Sequence, residues 1–179
     1  MSETQRAYSG LFGAFPYAYR ESESRLFRLY AVVGGLLALL VAVLFTFALV
    51  VAFGNTSGAT GGTFTFSRTL FVLVGFFAVG PLVGPVLFVA RQHRTGRADP
   101  RYDAAMAAMG FLFVVSLYVG AVISIPPAFT LDGETVDRGT PTGLFAPVVG
   151  LLYALPSLAS VVPPVLVAVG MFLLHRRLG

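Results

Sequence analysis

The chain has 179 residues, 56% of them hydrophobic and 11% charged, with a mean hydropathy of +0.84 and a net charge of +4. Soluble domains carry about 25% charged residues and disordered chains combine low hydrophobicity with high charge, so both classes are excluded and an integral membrane protein remains. With no Cys and no Lys, thiolate metal centres, cysteine nucleophiles and lysine Schiff bases are excluded as well.

The first 28 residues are mixed. The run Tyr8–Tyr19 is aromatic but too short to span, which suits a segment lying in the membrane interface or docking a protein partner. Tyr30 and Tyr102, at span ends on the same side, would complete an aromatic belt there. Ser22 and Ser24 are positioned to cap the helix that follows.

A membrane-spanning helix needs about 20 mostly apolar residues. Four charge-free stretches meet that length: Leu29–Phe53, Thr69–Ala90, Ala104–Ile125 and Leu144–Leu174. The first is 25 residues long, whereas a cleavable signal core runs about 7–15, so it is expected to stay as an anchor. Asp99-Pro100 reads as a helix cap followed by a first-turn proline, with Asp103 near the positive helix end. Pro126-Pro127 ends the third stretch. The fourth contains Pro147, Pro156, Pro163 and Pro164. It reads as one kinked, proline-broken helix, with a short re-entrant helix followed by a span as the alternative.

The expected fold is therefore an all-α bundle of four transmembrane helices. It has an N-terminal interfacial segment (residues 1–28), the membrane domain (29–174) and a short tail (175–179). Arg6, Arg20, Arg25, Arg28, Arg91, Arg94, Arg97, Arg101, Arg176 and Arg177 fall on one side, against Arg68 and Arg138 on the other. The positive-inside rule then places both termini and the second loop in the cytoplasm. The basic excess is thus an orientation signal, and no nucleic-acid partner is expected.

No ionisable residue lies within the four stretches, which counts against proton-coupled transport, voltage sensing and carriage of charged substrates. Gly80 and Gly84, and Ser116, Gly120 and Ser124, recur at one-turn spacing and make smooth faces for helix packing. Arg91, Arg94, Arg97 and Arg101 suit contact with lipid headgroups. His93 and His175 are too few to suggest a histidine metal site. Asp132, Glu134 and Asp137 match no calcium-loop spacing and read as solvated turn charges. Asn55-Thr56-Ser57 is a glycosylation sequon beside the membrane. No catalytic, cofactor or metal constellation is visible, so no cofactor and no enzymatic activity are expected.

The stretch YSGLFGAFPYAYRESESRLFR leading into LLALLVAVLF, with GGTFTF before the second span, resembles uncharacterised small four-span membrane proteins of halophilic archaea. The use of Arg to the exclusion of Lys and the acidic external loop are similar too. The resemblance implies a four-span protein of the cytoplasmic membrane and brings no activity or site residues. The reading that follows is a non-enzymatic protein acting by packing against itself, lipids or another membrane subunit. The alternative is a small oligomeric channel or carrier for an uncharged solute.

Overall fold

The structure is a computed structural model and describes residues 10–55, 62–131 and 133–179. Along the chain run α1 (Gly10–Glu21), α2 (Arg25–Asn55), α3 (Gly62–Arg94), α4 (Pro100–Ser124), β1 (Ala128–Leu131), β2 (Glu134–Asp137), α5 (Ala146–Tyr153), a 3₁₀ helix (Ser157–Val161) and α6 (Val162–Leu178). Four segments are long and apolar enough to cross a membrane: Arg25–Gly54, Val72–Arg94, Pro100–Ser124 and Ser157–Leu178. That is the pattern of a multi-pass membrane protein.

The chain divides into two compact units: Met1–Phe111 with Met171–Gly179, and Leu112–Gly170. In the first unit, α1 packs against α2 and α3, which also pack against each other. The N-terminal aromatic run is thus largely helical, with Ala14 and Ala18 of α1 buried. Ser24 caps α2, its Oγ accepting from the Phe27 N–H at 3.2 Å. Asp99 caps α4, its Oδ1 accepting from the Arg101 N–H at 2.8 Å. Both caps satisfy first-turn donors that have no partner inside the helix.

Tyr30 organises this unit. Its ring is fully buried, lies edge-on to Phe111 at 5.2 Å, and its hydroxyl donates to the Leu82 carbonyl at 2.6 Å. Room for the ring comes from two glycines: a Cβ at Gly34 or Gly110 would run into it. Tyr102 is buried as well. Neither tyrosine is an interfacial belt residue; each is drawn inward because its hydroxyl finds an internal partner.

In the second unit, the expected all-helical architecture is interrupted by a β-hairpin. Leu131 pairs with Glu134, and Gly133 has φ +88°, a left-handed conformation that glycine adopts without strain. Glu134 and Asp137 are three apart on β2 and so project from opposite faces; Asp132 lies outside the described residues, as do Thr56 and Ser57 of the sequon. Arg138 fastens the hairpin. Its guanidinium donates to the Ile125 carbonyl at 2.7 Å and lies 3.8 Å from the centre of the Tyr153 ring.

Residues 144–174 form separate helical pieces. α5 ends at Tyr153, and Pro156, which has no N–H to continue it, begins the 3₁₀ helix. Pro163 and Pro164 fall in the first turn of α6, where no backbone donor is needed.

Candidate functional site: a buried polar junction

Four chain segments meet around the first turn of α4. Asp103 is fully buried, and its Oδ2 accepts from the Ser22 hydroxyl at 2.6 Å and from His93 Nε2 at 2.8 Å. Ser22 belongs to the corner between α1 and α2, and His93 to the last turn of α3. The adjacent residue, Tyr102, shares a hydrogen bond of 2.6 Å with Nδ1 of His175 near the end of α6. Phe88 stacks on the His175 ring at 4.2 Å. Consecutive residues of one helix thus hold the α1–α2 corner, α3 and α6.

Local chemistry explains the placement. Pro100 and Asp99 fix where α4 starts, so Tyr102 and Asp103 fall in its first turn. Ser22 is held from the other side, its carbonyl accepting from Arg28 Nε at 2.9 Å and its Oγ from the Ser24 N–H at 3.2 Å. A buried carboxyl group is costly unless hydrogen-bonded, and Oδ2 has two partners. Its other oxygen, Oδ1, is buried and takes no hydrogen bond from the described residues.

The arrangement does not activate a nucleophile. In a serine triad the imidazole accepts the hydroxyl proton and the carboxylate orients the imidazole. Here serine and histidine both donate to one carboxylate oxygen, and Ser22 is fully buried. What the cluster does is tie helix ends together.

The residues singled out from the sequence are dispersed. A Cβ on Gly84 would touch Met171 Sδ at 3.4 Å, and one on Gly120 would lie 2.5 Å from the Ser160 carbonyl oxygen, while one on Gly80 would meet nothing within 4 Å. Ser116 is buried and donates to the Phe113 carbonyl; Ser124 is exposed and donates to the Ala121 carbonyl. Arg91, Arg94, Arg97 and Arg101 are exposed; Arg97 donates to the Gly179 carbonyl at 3.4 Å. Sequence reading missed the junction itself. One signal was available: Ser22, His93, Tyr102, Asp103 and His175 all lie just outside apolar stretches, on the side the arginines mark.

The profile of a family described as a domain of unknown function, DUF8056, matches residues 1–179. The chain belongs to the DUF8056 family. No curated protein and no solved structure matches it. For this DUF8056 chain, function is therefore argued from the geometry alone.

Proposed function

We propose that the chain is a non-enzymatic protein of the cytoplasmic membrane, with both termini and the α3–α4 turn inside, that acts through the outward apolar faces of its helices. Its partners are a second copy or another membrane subunit, with lipid around both and headgroups against Arg91, Arg94, Arg97 and Arg101. No cofactor or nucleic acid enters this reading.

One observation carries it. The buried polar side chains of the junction are engaged in joining one helix end to another, whereas the membrane-depth surface is apolar and exposed. On α2, Leu36, Leu39, Leu40, Val43, Leu44 and Phe47 point outward. On α3, Phe76 and Phe77 are 70% and 68% exposed beside Gly80, which has open space around it. Small residues flanked by large apolar ones let a second helix approach closely. Gly84, by contrast, already serves contacts within the chain.

The test is photo-crosslinking in native membranes from a diazirine amino acid at position 76 or 77, followed by mass spectrometry. A single recurring protein adduct is expected, lost when Gly80→Leu blocks close approach. Lipid adducts alone at both positions would contradict the proposal.

A further inference from the structure

We propose that α5 and the 3₁₀ helix form an apolar foot sunk into the leaflet on the hairpin side, with lipid acyl chains as its partner. The inference rests on the chain's embedding in a membrane and not on the protein partner proposed above.

Residues 139–174 contain no Asp, Glu, Lys, Arg or His. Within them, α5 has 8 residues, about 12 Å at ~1.5 Å per residue, far short of the ~30 Å hydrocarbon core. It cannot cross, and none of its residues is buried. On α5 Val148 and Leu151 are exposed, as are Leu144 before it and Leu155 and Leu158 after it, Leu144 to 89% and Leu158 to 85%. A helix facing water turns polar residues outward. This one turns leucines.

Two contacts set its depth. Arg138 joins the carbonyl of Ile125, one residue past α4, to the ring of Tyr153, so α5 ends level with the exit of α4. An arginine stacked on a tyrosine is chemistry suited to the headgroup layer. Seven residues on, the Ser160 carbonyl lies against Gly120, one turn inside α4. The chain from Tyr153 to Ser160 therefore descends from the exit level into the membrane. Exposed apolar residues follow at Val161, Val162, Val165, Leu166 and Val169, which lie on the candidate crossing segment Ser157–Leu178. The foot thus adjoins a segment long and apolar enough to cross the membrane. Left in water, it would be an apolar patch of the kind soluble surfaces avoid.

The chain has no Trp, so one introduced indole reports without background. Leu151→Trp and Leu158→Trp, both at exposed positions, would be reconstituted in phosphatidylcholine–phosphatidylglycerol vesicles with acyl chains brominated or not. Leu40→Trp on α2 serves as the membrane-depth reference and Val136→Trp on the hairpin as the aqueous one. The expected result is a loss of fluorescence on bromination at positions 151 and 158 as well as at position 40, with iodide quenching only at position 136. Quenching of positions 151 and 158 by iodide would overturn the proposal, and so would shielding from both quenchers, which would mean that protein covers the foot.

Discussion

At the first turn of α4, one oxygen of Asp103 accepts hydrogen bonds from two other chain segments. Removing a buried side chain that accepts two hydrogen bonds leaves its donors unsatisfied, at about 1–3 kcal/mol for each. Asp103→Ala is therefore expected to lose stability on that scale in SDS-titrated unfolding from mixed micelles, and Ser22→Ala about 1–3 kcal/mol, the cost of one lost buried bond. Tyr30 makes a second residue-scale case. Gly110→Ala drives a methyl group into the Tyr30 ring, an overpacking cost of about 1–3 kcal/mol. In a Tyr30→Leu background that cost should largely vanish, and a double-mutant cycle measures the coupling; additive losses would contradict the packing described. Neither site was legible as such in the sequence. Asp103 reads there as a charge near a helix start and Tyr30 as a belt aromatic, since a linear pattern carries the character of a side chain but not which distant segment meets it.

The helices themselves were far more legible. Apolar runs of 22 residues or more mark the first three crossings, and Asp99 and Ser24 act as the caps their residue types suggest. Less legible were the pieces where local geometry decides. The hairpin depends on Gly133 and on the grip of Arg138, and the separation of α5 from α6 on Pro156. Glycines of similar spacing also differ by position. At Gly120 an added methyl meets backbone, the Ser160 carbonyl, which cannot swing aside. Gly120→Ala should therefore destabilise the isolated chain, while Gly80→Ala, in open space, should be neutral or gain up to about 1 kcal/mol of helix propensity. Thermal unfolding of the two variants in detergent checks the contrast, and equal effects would contradict it.

For the molecule as a whole, polar and apolar roles are separated along the helices. In the first unit the Ser22, His93, Asp103, Tyr102 and His175 side chains gather at the ends of α3, α4 and α6 and at the α1–α2 corner, while α2 shows an apolar exterior.

In the orientation we propose, α4 carries the chain across the membrane from the polar junction, inside, to the hairpin, outside. Single cysteines test it without background, because the chain has none. Thr95→Cys lies in the exposed turn before α4 and Thr135→Cys on the exposed strand β2. With a membrane-impermeant maleimide on intact cells, position 135 should label at once and position 95 only after permeabilisation. Labelling of both positions in intact cells would contradict the crossing, and labelling of position 95 alone would contradict the orientation.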